Sequence, residues 1–217
     1  MKRNGVLKLD EELPLILASS SPRRRELLRL LEIPFQWLSP PYEERFDHRS
    51  PAVQAEYLAE MKLRSVLESS PRYLRHPVLS ADTVIDLDGE LIGKAENRSD
   101  AAETLRRLSG RSHRVITALS FWPGTAEEAG VDQPDKQEYS AIIQRRAVSQ
   151  VEMDRLTEEE IKWYLDSGEW RGAAGAYRIQ GRAAVFIKAI EGCYYNIMGL
   201  PIQLFYGILR ERGYTPK

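Results

Sequence analysis

The chain has 217 residues with 31 basic and 32 acidic side chains, and a net charge of −1 leaves no general electrostatic footprint for nucleic acid or an anionic membrane. A hydrophobic content of 42% supports a buried core in one large domain or in two lobes sharing a cleft. The single cysteine, Cys193, excludes an intramolecular disulfide, the three histidines form no metal box, and no apolar run approaches the roughly 20 residues of a membrane span, which together point to the cytoplasm.

Residues 1–13 read as a polar N-terminal extension, and residues 14–217 as the folded domain. Leu15, Ile16 and Leu17 form a short apolar strand, Ser19, Ser20 and Ser21 stop it, and Pro22 suits the first position of a helix. The free N–H groups of that first turn, with the serine hydroxyls, make a place for a phosphate. Arg23, Arg24 and Arg25 oppose the helix macrodipole at a cost of about 0.3–1 kcal/mol each, a local violation of the kind found at functional sites. At about 100° per residue the three cannot face one ligand. Arg23 and Arg24 continue the stripe of Leu27, Leu28 and Leu31 toward the loop, whereas Arg25 aligns with Arg29 on the solvent side. A basic surface patch is the alternative reading.

A second strand is expected over residues 36–38, followed by a rigid loop in which Glu43 and Glu44 either ligate a divalent cation or are simply solvated. Ser50 and Pro51 open a helix running to about Glu68, with Lys62 on the same face as Ala55, Leu58 and Val66. Such a lysine either snorkels outward or meets a partner. Residues 78–86 read as a strand with Asp82 on its wetter face, and the Asp88-Gly89 turn sets a hairpin pairing Leu87 with Glu90 and Thr83 with Lys94. Lys94 then stands beside Asp82 and keeps it ionised, as a functional pair or an ordinary cross-strand one. Asp82 and Thr83 cannot both face one cleft from a regular strand, so a strand end or a bulge is expected there.

Ser99 is expected to cap a helix ending before Gly110, and a strand follows over 113–121, with His113 either titrating usefully or structural. Residues 123–136 read as a hairpin tip before a strand near 139–150, and Thr157 to Glu160 as a capping box. The run 172–181 is rich in glycine and alanine but lacks the context of a Walker or dinucleotide loop; it is a close backbone approach to a ligand or a tight turn. A last strand over 184–190, tyrosines at 194 and 195 in the core or near a nucleobase, and a terminal helix from Pro201 complete the chain.

Several of these stretches resemble the Maf family of nucleoside triphosphate pyrophosphatases. The signature Ser-x-Ser-Pro-Arg-Arg matches Ser19 to Arg24, and the final glutamate of an acidic Asp-x-Asp-Glu stretch matches Glu44, with Pro41 and Glu43 replacing the two aspartates. A phosphate-facing lysine matches Lys62, Ala-Asp-Thr matches Ala81 to Thr83, and Gly-Lys-Pro matches Gly93-Lys94 with Ala95 in place of proline. Ser-Gly-Arg-Thr-His matches residues 109–113, and Ala-Gly-Ala-Tyr-x-Ile-Gln-Gly matches residues 174–181, although Gly172-Ala173 replaces the Asp-Lys before it.

The resemblance implies an α/β fold, an extended mixed sheet with flanking helices in two lobes around a deep cleft, like inosine triphosphate pyrophosphatase, and a homodimer. It implies hydrolysis of a nucleoside triphosphate to the monophosphate and pyrophosphate with Mg²⁺, Mn²⁺ or Co²⁺. Ser19, Arg23, Arg24 and Lys62 would bind substrate, Asp82, Lys94 and Glu44 would be catalytic, and Glu44 and Asp82 would ligate the metal. Arg23, Thr83 and Gln180 match the branch acting on dTTP and UTP, extending to modified pyrimidine nucleotides and CTP, rather than the 7-methyl-GTP branch. A nucleotide-binding regulator of septation without turnover, or a 7-methyl-GTP pyrophosphatase, is the alternative.

Overall fold

The computed structural model describes residues 7, 9–45, 50–125 and 138–214. In chain order the elements are β1 (Leu15–Ala18), α1 (Pro22–Arg29), β2 (Phe35–Leu38), α2 (Pro51–Ser69), α3 (Arg72–Arg75), β3 (Val78–Leu87), β4 (Glu90–Ile92), α4 (Arg98–Leu108), β5 (Ser112–Trp122), β6 (Ile143–Met153), α5 (Glu158–Asp166), β7 (Ile187–Glu191), α6 (Tyr194–Met198) and α7 (Ile202–Glu211). The strands form one seven-stranded mixed sheet in the order β2-β1-β3-β5-β6-β7, with β4 added to β3. β1 runs parallel to β2 and β3, and the crossovers that parallel pairing requires are made through α1 and α2. The remaining pairs are antiparallel. No described helix is long and apolar enough to cross a membrane.

Of the four hydrophobic clusters among the described residues, the two largest mark the lobes. One gathers Leu15 and Leu17 of β1, Leu27 and Leu28 of α1, Leu79 and Ala81 of β3, and Phe205 and Ile208 of α7. The other gathers Ile85 and Leu87 of β3 with Leu105 of α4, Tyr164 of α5, Trp170 and Phe186. β3 thus passes from one core into the other, and Asp82 and Thr83 stand at the seam. Its two faces are both covered, Asp82 is 5% exposed, and Thr83 is the one residue of the strand that is not buried. The expected wetter face for Asp82 is therefore not observed, because α2 lies over it.

Several elements differ from expectation. Asn97, rather than Ser99, caps α4 by accepting from the Asp100 N–H at 3.0 Å; asparagine and serine are equally good caps, and the earlier one lengthens the helix. Residues Arg182–Phe186 form a 3₁₀ turn before β7, since Ala183 and Phe186, three apart and both buried, suit its period of three. β6 starts at Ile143 after another 3₁₀ turn, and the expected hairpin tip at 123–136 lies largely outside the described residues. Tyr194 and Tyr195 are neither in the core nor in the cleft: Asn196 takes the buried side of α6, donating to Val115 O and Ser149 Oγ at 2.9 Å, and the tyrosines stay exposed. In the N-terminal stretch, Leu7 and Leu9 are buried, and the Leu7 N–H donates to Arg212 O at 2.8 Å.

Candidate active site

The serine loop ends on Ser21, the N-cap of α1, whose Oγ accepts from the Arg24 N–H. Arg24 then folds back over the loop. Its Nη1 donates to the buried Ser19 Oγ at 3.2 Å, its Nη2 to Thr83 Oγ1 at 3.1 Å, and its Nε to Gly199 O at 2.7 Å. Gly199 sits at φ 106°, which favours glycine, and a Cβ there would press on Thr83 Oγ1 at 3.2 Å. The cost of a cation at the start of α1 is offset by three hydrogen bonds that tie the helix to the serine loop, to β3 and to the end of α6. Burial lowers the Arg24 pKa, although Asp82 and Glu44 act in the opposite direction. Arg25 faces away, stacked over Trp37 at 4.1 Å, as the helical spacing predicts.

No bulge brings Asp82 and Thr83 to one cleft. β3 pairs with β5 without interruption from Val78 opposite Trp122 to Asp86 opposite Arg114. On its other edge β1 covers only Val78 to Ser80, and β4 covers only Ile85 to Leu87. The edge between is bare, and the cleft opens through that gap. Side chains pointing to opposite faces of the strand therefore reach the same space, and both Asp82 and Thr83 line it.

On the α2 side, Lys62 Nζ donates to Asp82 Oδ1 and lies 2.7 Å from Glu44 Oε1, while Lys94 Nζ reaches the two Glu44 oxygens at 3.1 and 3.2 Å. Asp82, Lys62, Glu44 and Lys94 thus form one chain of alternating charge. Lys62 is 9% exposed and does not snorkel outward, because two carboxylates hold it inside. Burial would raise the Glu44 pKa, but Lys62 and Lys94 outweigh it and hold the carboxyl down at about 2.

The expected cross-strand pair of Lys94 with Asp82 is not formed. Leu87 does face Glu90, but the ladder ends at Ile85 opposite Ile92, and Lys94 bridges instead to Ala174 of the glycine-rich run. The Gly175 N–H donates to Gly93 O at 3.0 Å, so that run captures the chain as it leaves β4. Thr83 is opposite Thr117, and their hydroxyls lie 2.9 Å apart. Since Thr117 Oγ1 donates to Asn196 O, Thr83 donates to Thr117 and accepts from Arg24, which commits its one proton.

The run 172–181 is held tightly. A Cβ on Gly175 would fall 2.2 Å from Ile85 Cδ1, and Gly175 has φ 65°. His113 supports it from beneath, with Nε2 and Tyr177 Oη 2.8 Å apart; burial lowers the histidine pKa to about 4, which fits its structural reading. Gln180 is exposed on the cleft wall, and Arg23 Nη2 reaches Gly172 O at 3.4 Å.

The cleft has a volume of about 420 Å³, and all nine residues singled out in the sequence line it: Ser19, Arg23, Arg24, Glu44, Lys62, Asp82, Thr83, Lys94 and Gln180. Arg171 and Arg178 also line it and escaped the sequence reading. Their signal was one arginine just before the glycine-rich run and one within it, beside the loss of a lysine from the family pattern. Cations outnumber carboxylates here, which suits a polyanion. Among the described residues no three His, Cys, Asp or Glu side chains gather as a metal cage. Two hard carboxylates, Glu44 and Asp82, bridged by one ammonium, nonetheless fit a Mg²⁺-like ion of the kind held by one or two carboxylates together with substrate phosphates.

The family model described as Maf-like protein matches residues 14–212. A protein of Symbiobacterium thermophilum named dTTP/UTP pyrophosphatase is 43% identical over 201 residues, 92% of this chain and 94% of that protein. A Bacillus velezensis protein of the same name is 39% identical, over 91% and 95% of the two chains. Among solved structures, a HAM1 protein from Coxiella burnetii shares 15% identity with a TM-score of 0.41, over 66% of this chain and 74% of that one. On the extent of the family match and the identity to these relatives, the chain belongs to the Maf family.

Proposed function

We propose that this chain is a nucleoside triphosphate pyrophosphatase that hydrolyses dTTP and UTP, and related pyrimidine triphosphates, to the monophosphate and pyrophosphate. The observation that carries this reading is the chain of Asp82, Lys62, Glu44 and Lys94 in a cleft also lined by Arg23 and Arg24. Names of the relatives give it further support.

In this reading Lys62, Lys94 and Arg23 bind the triphosphate, and Arg24 orders Ser19, Thr83 and the Gly199 carbonyl around it. Asp82 takes the proton of a water that attacks the α-phosphorus, the bond from that phosphorus to the bridging oxygen breaks, and pyrophosphate leaves with the electron pair. Lys62 holds one Asp82 oxygen and so orients the carboxylate that accepts the proton. Lys94 and Arg23 stabilise charge growing on the leaving group. A divalent cation such as Mg²⁺, Mn²⁺ or Co²⁺, held by Glu44 and Asp82, would supply further neutralisation of the phosphate oxygens.

We further read the protein as a cytoplasmic homodimer, which light scattering of the purified chain tests. The function is tested by phosphate release over a panel of nucleotides, with and without added inorganic pyrophosphatase. Phosphate that appears only with the added enzyme is expected; phosphate released without it would place cleavage at a different bond. Asp82→Asn should lower kcat by about 10²- to 10⁴-fold and leave nucleotide binding and folding intact. Near-wild-type turnover in that variant would end the role given to Asp82.

A further inference from the structure

The arginines that line the cleft differ in what they already hold. Arg24 has all three of its guanidinium nitrogens engaged, on Ser19, Thr83 and Gly199. Arg178 does not. Its main-chain N–H is pinned by Tyr164 Oη at 3.0 Å, from a ring with 0% exposure, and one Nη donates to Arg171 O at 2.8 Å. Its Nε is enclosed by protein and has no hydrogen-bond partner. Arg23 has a single long contact, 3.4 Å to Gly172 O.

Neither guanidinium has a carboxylate within ion-pair distance among the described residues, whereas other arginines at the surface do: Arg114 with Asp86, Arg146 with Glu56 and Arg106 with Glu158. Burial lowers the Arg23 pKa, and the Arg178 charge lowers it further. Two cations that repel each other on one half-buried wall are stabilised by an acceptor placed between them. Moving Arg178 onto such an acceptor gives up one main-chain hydrogen bond and releases an Nε that has none.

We propose that Arg178 is a further substrate-binding residue, which together with Arg23 grips an acceptor oxygen of the bound nucleotide. This rests on the reading of the cleft as a nucleoside triphosphate site. The acceptor is either a phosphate oxygen or a carbonyl of the pyrimidine, since a guanidinium suits both.

The test is calorimetric binding of α,β-methylene-UTP to wild-type protein, Arg178→Ala and Arg178→Gln, with kcat and KM for UTP alongside. Both variants should bind the analogue about 10- to 100-fold more weakly and raise KM for UTP in step, with kcat little changed. Competition by inorganic tripolyphosphate separates the sources: a parallel loss of its affinity assigns the contact to phosphate, and an unchanged affinity assigns it to the base. Binding and KM within about twofold of wild type in either folded variant overturn the proposal. If the wild-type protein cleaves no triphosphate, the functional reading falls instead, and the binding isotherms still report on Arg178.

Discussion

Lys62 of α2 and Asp82 of β3 form a buried ion pair at the middle of the sheet, and the same ammonium lies 2.7 Å from Glu44. One lysine thus stands between the two carboxylates that suit a divalent cation. When a triphosphate enters, Lys62 can turn to its phosphates and leave those carboxylates to the cation that accompanies it.

Lys62→Met should therefore bind Mn²⁺ more tightly than wild type in the absence of nucleotide, as read by electron paramagnetic resonance. Without metal the variant should lose about 3–5 kcal/mol of stability, because two carboxylates are left without their shared partner. Added Mn²⁺ should restore part of that loss. Equal Mn²⁺ affinity in the two proteins would show that Lys62 does not guard the carboxylates.

The two neighbouring arginines give a second contrast. Arg24 ties Ser19, Thr83 and Gly199 together, whereas Arg25 lies over Trp37 outside the cleft. Arg24→Ala should weaken UTP binding by about 10- to 100-fold, while Arg25→Ala should stay within about threefold of wild type. Equal losses in a titration would contradict the assignment of the two faces.

These contrasts also mark how far the sequence carries. Helical spacing alone separates Arg24 from Arg25, because it depends on nothing beyond α1 itself. The strand-loop-helix, the capping box at Thr157 and the Asp88-Gly89 turn were legible for the same reason. The partner of Lys94 was not. Extending the hairpin register past Ile92 led to Asp82, but the run at 172–181, some eighty residues later in the chain, takes that edge and turns Lys94 to Glu44. The gap in the β3 edge was equally hidden, since it depends on where β1 and β4 stop rather than on any residue of β3.

His113 supplies a pH test of the architecture. Buried against Tyr177, it has a folded pKa of about 4 against an ordinary value near 6.5. The unfolded chain therefore takes up the proton first as pH falls. The stability this neutral histidine permits is complete above about pH 6.5 and is lost progressively down to pH 4, a decline of about 3 kcal/mol. Denaturant midpoints measured from pH 7 to pH 4 should show it, and His113→Gln should flatten that part of the profile. Glu44 acts lower: its depressed pKa gives stability present above about pH 4.5 and lost toward pH 2, so most of its loss falls below the histidine window.

The last prediction concerns the base. Gln180 is exposed on the cleft wall, and its neutral amide both donates and accepts hydrogen bonds, as the edge of uracil or thymine requires. Among the described residues no tryptophan lines the cleft to stack on a cationic purine. Thr83 contributes by fixing Arg24 rather than by a free hydroxyl. We therefore expect kcat/KM for dTTP and UTP to exceed that for 7-methyl-GTP, with CTP intermediate because its amino group replaces one carbonyl acceptor. Gln180→Glu should lower kcat/KM for UTP by about tenfold, since the carboxylate keeps acceptors and loses the donor, and should lower that for 7-methyl-GTP less, because its charge favours the methylated purine. A wild-type preference for 7-methyl-GTP, or a Gln180→Glu variant that leaves the ratio of the two substrates unchanged, would remove Gln180 from base selection.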